Sequence, residues 1–561
     1  MDFQRIFILL GLAVTAYMLV LAWNEDYGQG ATAPATVDES PALPVPPLDA
    51  TIPGSVPTVQ DSTVPELATG AVPIPQTVPD TAAATRQLIT VETDVFNIQI
   101  DPLGGDIVKV SLPDFPASLE TPDVPFVLLD PRNAYVGQSG LIGPNGTDKK
   151  GVRPLFQSDL QNYDMGSHSE LNVSLSHIQS DGTSIRKTYR FKQGDYLIGL
   201  EYEVTNAAET PWVGGLFTQI KRDGQDPISQ SSNLMGMQPF VGGATRSDQE
   251  FYKKLEFEDL EEEPYKLTRP EGYMAMVQHY FVSAWVPQGD SEVSYQARKL
   301  RNQDVYLFGF TTPAISIPPG ETGVLAASFY SGPKDQYRLQ EIATGLDLVV
   351  DYGFLWWMAQ PLFWMLTVIH GMVGNWGLAI IGLTIIVKIL LYPLSAASFR
   401  SMAKMRKLQP EMMRLKERYG DDQQKFSQEM MNLYKKEGAN PLGGCFPILL
   451  QMPVFLALYW TLMESVELRQ APFFLWIEDL SAMDPFFILP ILMGVSMYLT
   501  QRMQPEPPDP VQARVFKFMP IMFTFFFLWF PSGLVLYWLV NNILSIMQQW
   551  YVTRQIEKAS G

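Results

Sequence analysis

Apolar and polar positions divide the chain into three regimes. From Ile6 to Trp23, and again beyond Tyr352, apolar residues run together; between these stretches, from 86 to 345, they tend to alternate with polar ones. Alternation at a spacing of two belongs to strands whose two faces meet different surroundings. It is carried by VFNIQI (95–100), TSIRKTYRF (183–191), YLIGLEYEV (196–204) and VYLFGFT (305–311), and the turn sequence DPLGGD follows the first of these. These segments are rich in β-branched and aromatic residues, and helical heptads are absent. The pattern predicts a large antiparallel β-sandwich.

The apolar runs predict helices of membrane length. Residues 6–23 (IFILLGLAVTAYMLVLAW) exceed the usual signal-peptide core, and the triplet Ala31-Thr32-Ala33, which resembles a cleavage site, lies eight residues past the run. An uncleaved anchor over 1–23 is the expectation. Residues 24–85, rich in Pro, Ala and Thr, are expected to form an extended tether to a domain at 86–348. Residues 352–370 are apolar but broken by Gln360 and Pro361, and Trp356, Trp357 and Trp364 suit a helix lying in the headgroup layer. Within 375–561, spans are expected at about 376–394, 446–463, 486–500, 518–530 and 534–550, the last two separated by Pro531-Ser532-Gly533.

Charge fixes the expected orientation. Residues 24–351 hold 22 basic against 44 acidic residues, and the remainder 18 against 15. The loop 395–441 has ten Lys and Arg, whereas 464–484 has one Arg. Under the positive-inside rule six passes place both termini in the cytoplasm and the acidic sandwich outside. Cys445 is the single cysteine, so no internal disulfide forms. Four scattered histidines, and the lack of a glycine-rich phosphate loop, point to no metal or nucleotide cofactor. The acidic balance argues against nucleic acid. The cluster EFEDLEEE (256–263) reads as a solvated loop.

Candidate chemistry lies in the apolar half. Lys388 sits inside the run from Trp376 to Leu394. A cation there costs about 2.5–3.5 kcal/mol on insertion scales, which marks a functional position. Lys388 also lies five residues before Pro393, so a stem snorkelling to the interface is the competing reading. Thr384, Gln451, Ser496, Asn541, Asn542 and Gln548 are further polar groups in apolar runs; with no acid in mid-span, they predict a wet cavity rather than a proton relay. In the basic loop, Met405, Leu408, Met412, Leu415 and Tyr419, then Phe426, Met430 and Leu433, follow helical spacing on either side of Gly420-Asp421-Asp422. This predicts an antiparallel helical hairpin over 399–437, with a methionine seam partly exposed for adaptable contacts through Met402, Met405, Met412 and Met430.

Four motifs then carry a resemblance. SMAKMRKLQP (401–410), NPLGGCFPILLQMPVFLALYW (440–460), ELRQAPFFLWIEDLSAMDP (467–485) and LWFPSGLVLYW (528–538) closely resemble the YidC/Oxa family of membrane protein insertases, in its Gram-negative form with a large periplasmic domain. The resemblance implies a polytopic α-helical membrane protein of the inner membrane, with six transmembrane helices, a five-helix core, an all-β periplasmic supersandwich and a cytoplasmic helical hairpin. It implies an insertase and chaperone, not an enzyme. Its partners would be nascent membrane proteins, the Sec translocon, ribosome–nascent chain complexes and membrane lipids. It implies a hydrophilic groove whose cation falls on Lys388, with Thr384 one turn away, Gln451 in the lining, and Tyr537, Trp538 and Asn541 on the client-facing helix. The family more often has Arg at the Lys388 position and Tyr at the Trp538 position. Two other classes compete: a secondary transporter with a periplasmic sensor, disfavoured by the lack of an internal repeat, and a membrane-anchored sugar-binding or sugar-modifying enzyme, disfavoured by polar residues in several spans.

Overall fold

The computed structural model of the chain describes residues 87–148, 152–225, 239–419, 422–437, 446–504 and 510–560. The expected anchor (1–23), the whole of the tether (24–85) and Cys445 lie outside them.

The alternating segments are strands: Asn97–Asp101, Ser184–Lys192, Leu197–Thr205 and Val305–Thr311. They belong to an eleven-stranded and a nine-stranded sheet among the described residues. In the smaller sheet Leu197–Thr205 pairs antiparallel with Ser184–Lys192 and Thr322–Pro333, so that Leu200 lies opposite Tyr189 and Ala327. Its burial alternates strictly, with Ile198, Leu200, Tyr202 and Val204 inward. Ile98, Val110 and Leu216 of the larger sheet share one core with Tyr189, Tyr202 and Phe329 of the smaller. One pair departs from the antiparallel expectation, because Ile89–Glu92 runs parallel to Asn162–Asp164.

The sandwich also holds a buried charge network. Arg153 bridges Asp106 and Asp148, the latter at 2.6 Å. Asp148 accepts from Leu141 N–H and Thr147 Oγ1, and Asp106 from Gln138. Lys187, fully buried, donates to the Gly104 carbonyl at 2.9 Å and lies over the rings of Tyr189 and Tyr202. The turn DPLGGD makes room for this: Gly104 has φ +80°, and a Cβ there would collide with the Arg153 guanidinium. Burial pushes the Lys187 ammonium down to about 7, against the pull of Asp106.

The acidic stretch expected as a loop is instead a short helix, α1 (Phe257–Glu262). Glu258 and Asp259 in its first turn face the positive helix end, Leu260 is buried, and Glu261 pairs with Lys299 at 2.6 Å.

After α2 (Gln336–Ile342) comes α3 (Trp356–Val373), whose Trp356, Trp357 and Trp364 are exposed while Ala359, Leu362 and Leu366 are buried. Gly374, at φ 65°, ends α3 by donating to the His370 carbonyl, and Asn375 caps α4 (Trp376–Leu390) by accepting from Leu378 N–H. The expected span to Leu394 stops early: α5 (Tyr392–Tyr419) leaves at 67° to α4. Pro393 is the physical cause, since it has no N–H for the Ile389 carbonyl. Then follow α6 (Gln423–Lys436), α7 (Phe446–Glu464), α8 (Ile488–Arg502), α9 (Pro510–Phe526) and α10 (Ser532–Ser560). The runs expected at 518–530 and 534–550 are longer helices than their apolar parts, starting at Pro510 and ending at Ser560. Among the described residues no single helix is long and apolar enough to cross a membrane; the bent pair α4 and α5 together has the length and composition of a broken span or a re-entrant loop.

The hairpin of α5 and α6 forms, but its seam is not left open. The overrun of α10 brings Val552 and Ile556 onto it, burying Met402, Met405 and Met412, with Met430 partly buried alongside. The strongly exposed hairpin methionines are Met413 and Met431, on the other faces.

The sandwich grips the helices at the end of α7. Lys334 forms a buried ion pair with Glu464 at 2.5 Å, and His279 Nε2 donates to the carbonyl of its neighbour Met463 at 2.8 Å. Burial, then the Lys334 charge, hold the imidazole down to about 3, so it stays neutral. Arg469 donates to the Pro116 carbonyl at 2.7 Å.

A graded cavity between the helices

A cavity of about 510 Å³ lies between α5, α7, α8, α9 and α10. Its walls change character along α10. Phe455, Tyr459, Phe523, Phe527, Phe530, Tyr537 and Trp538 make an aromatic end, and Thr500, Gln501, Asn542, Ser545 and Gln549 a polar one, with Gln451 and Asn541 between them. The gradient follows from helix direction, because α8 and α10 run side by side in the same sense, Asn542 bonding to Ser496 and Gln549 to the Met503 carbonyl, so that both bring their polar ends to one side, while α9 lines the cavity with apolar residues. Beside the aromatic end, Ser532 and Gly533 N–H groups donate to the carbonyls of Ala482 and Leu480, which ties the loop before α8 over the start of α10.

The sequence-predicted residues divide between wall and backing. Gln451, Tyr537, Trp538, Asn541 and Met402 line the cavity; Asn541 Nδ2 donates to Gln451 Oε1 at 3.3 Å, joining α10 to α7. Lys388 is 4% exposed and does not line it. Its ammonium donates to Ser545 Oγ at 2.7 Å, and Ser545 does line the cavity, so the cation sits one hydroxyl behind the wall. Among the described residues no carboxylate pairs with it. Thr384, one turn away, donates to its own helix at Ile380 and is outside the lining. Met405, Met412 and Met430 belong to the hairpin seam.

Ser545, Gln549, Thr500 and Gln501 escaped the sequence reading. The signal was present: Tyr537, Asn541, Ser545 and Gln549 repeat every four residues, a stripe on one helix face. A serine in an apolar run looked unremarkable because hydroxyls there are usually bonded to their own backbone, and Ser545 indeed donates to the Asn541 carbonyl at 2.7 Å.

No cluster of metal-ligating side chains occurs among the described residues. A helical bundle enclosing a partly polar cavity, its helices exposing apolar flanks and bonded to a β-sandwich, defines the class of an α-helical bundle protein with an attached all-β domain. Comparison with known proteins gives the particular family. The pattern of the YidC periplasmic domain matches residues 88–365, and that of the 60Kd inner membrane protein matches 368–559. The membrane protein insertase YidC of Cellvibrio japonicus is 53% identical over the whole of both chains, and that of Ectopseudomonas mendocina 50% identical over all of this chain and 99% of the relative. A crystal structure of an active YidC insertase with its first transmembrane domain resolved is 17% identical, at a TM-score of 0.38, over 84% of this chain and 93% of that one. The chain belongs to the YidC family of membrane protein insertases.

Proposed function

We propose that this protein moves hydrophobic segments of nascent proteins from the cytoplasm into the inner membrane through the graded cavity, alone or with the Sec translocon, and receives them from ribosome–nascent chain complexes. Polar external parts of a client rest among Gln451, Asn541 and Ser545 while its apolar segment slides into lipid past Tyr537 and Trp538. Lys388 supplies the positive charge that favours acidic tails. Thr384 supports the helix face that carries Lys388. The protein acts by binding, with no covalent step. Its topology is six passes with both termini cytoplasmic and the sandwich periplasmic, and the hairpin of α5 and α6 meets clients and ribosomes on the cytoplasmic side.

The observation that carries this reading is a nearly buried cation, with no carboxylate partner among the described residues, one hydroxyl away from a cavity that is polar at one end and aromatic at the other. Such a charge is under-solvated, and a client carboxylate relieves it. The test replaces Lys388 by Glu, Ala and Arg in the full chain and follows insertion of a single-span client with an acidic external tail in depleted cells. Lys388→Glu is expected to lower insertion at least about tenfold, the lower end of charge focusing, and Lys388→Arg to preserve it. Wild-type insertion by Lys388→Glu would remove electrostatic capture from the reading.

A further inference from the structure

The wall residue nearest the cation has a part of its own. Ser545 Oγ accepts from the Lys388 ammonium and donates its own O–H to the Asn541 carbonyl, both at 2.7 Å. Its proton is thereby committed to the helix, and its lone pairs face the ammonium. Lys388 has a flexible four-carbon stem, and with Leu391 and Pro393 ending its helix just beyond, an unheld ammonium relaxes toward water at that end. Ser545 is the side chain seen to oppose this among the described residues.

We infer that Ser545 is a positioning residue: its hydroxyl holds the Lys388 ammonium against the cavity wall while the cavity is empty and yields it to a client carboxylate on entry. The inference rests on the groove reading above. The exchange is favourable because a carboxylate is a stronger acceptor for an ammonium than a hydroxyl is. It also makes sense of lysine at this position, since a longer, forked guanidinium spans the same gap without a holder.

The experiment uses the full chain and two versions of one single-span client, with an acidic or a neutral external tail. Ser545→Ala is expected to lower insertion of the acidic-tailed client about tenfold more than that of the neutral-tailed one, as loss of a charge-assisted hydrogen bond does, with thermal unfolding of the purified full chain at the parent's temperature reporting intact folding. Ser545→Thr, which keeps the oxygen, should restore the acidic-tailed client. Lys388→Arg should rescue it in the Ser545→Ala background, and Ser545→Ala should add nothing to Lys388→Gln. Equal losses for both clients, or additive losses with Lys388→Gln, would overturn the role of Ser545. If Lys388→Gln erases the preference for acidic tails while Ser545→Ala keeps it, the holder fails and the groove stands. If Lys388→Gln itself leaves the preference intact, the groove reading fails and the holder with it.

Discussion

Two buried lysines show how differently one side chain is used in the two halves of the molecule. Lys187 in the sandwich is fully buried, yet it bonds to a backbone carbonyl, lies over two tyrosine rings, and shares its neighbourhood with Arg153, Asp106 and Asp148. The charges of that network sum to zero when Lys187 is protonated. Lys388 among the helices is 4% exposed and, among the described residues, its one hydrogen-bond partner is the neutral Ser545. A neutralised network resists change, because removing one member strands the others. A lone cation leaves its field available to whatever enters the neighbouring cavity. The difference separates a charge used to fix a fold from one kept for a transient partner.

The contrast predicts opposite responses to deletion. The largest effect is expected for Arg153→Met, which leaves Asp106 and Asp148 buried without their cation; denaturant unfolding of the full chain in detergent, followed through its β signal, should show a loss of about 3–5 kcal/mol. A loss under ~1 kcal/mol would mean the network is not neutralised as described. Next in size is a pH effect. The unfolded Lys187 keeps its proton to its ordinary 10.5, whereas the folded one sheds it at about 7. Between those values the unfolded state binds more protons, so stability rises with pH, by up to ~1.4 kcal/mol per unit. Amide-exchange protection of strand Ser184–Lys192, corrected for intrinsic rates, should carry this slope, and Lys187→Met should flatten it. The smallest effect is expected for Lys388→Met, with stability within ~1 kcal/mol of the parent or above it, since nothing is stranded. A loss as large as that of Arg153→Met would show that Lys388 is structural and break the comparison.

Much of this architecture could be read from the chain, and the failures have identifiable causes. Strands such as Leu197–Thr205 were legible because one face is buried and the other is not, so burial is written at a spacing of two. The seam of α5 was legible for the corresponding helical reason. The end of α10 was not, because apolarity fades after Trp550 while amphipathic spacing continues through Val552 and Ile556. That overrun closes the methionine seam that a two-helix hairpin would leave open. The stop of α4 was signalled by Pro393, but the apolar run continues across it. The network around Arg153 was invisible, since Asp106 and Lys187 lie far from Arg153 and Asp148 in sequence and charged residues are presumed solvated. In the cavity, Gln451, Tyr537, Trp538 and Asn541 share one wall, whereas Lys388 stands behind it with Ser545 between, a place that the apolar pattern around each of them does not encode.

The grip of the sandwich on α7 has a mechanical consequence. Two successive residues, Met463 and Glu464, are held by His279 and Lys334. A single contact is a pivot, but two in a row on the same helix end leave no swivel. The same helix contributes Gln451, Phe455 and Tyr459 to the cavity wall. A tilt of α7 that widens the wall must therefore either break these two contacts or carry the sandwich with it, so the β domain sets part of the resistance that the cavity offers to opening.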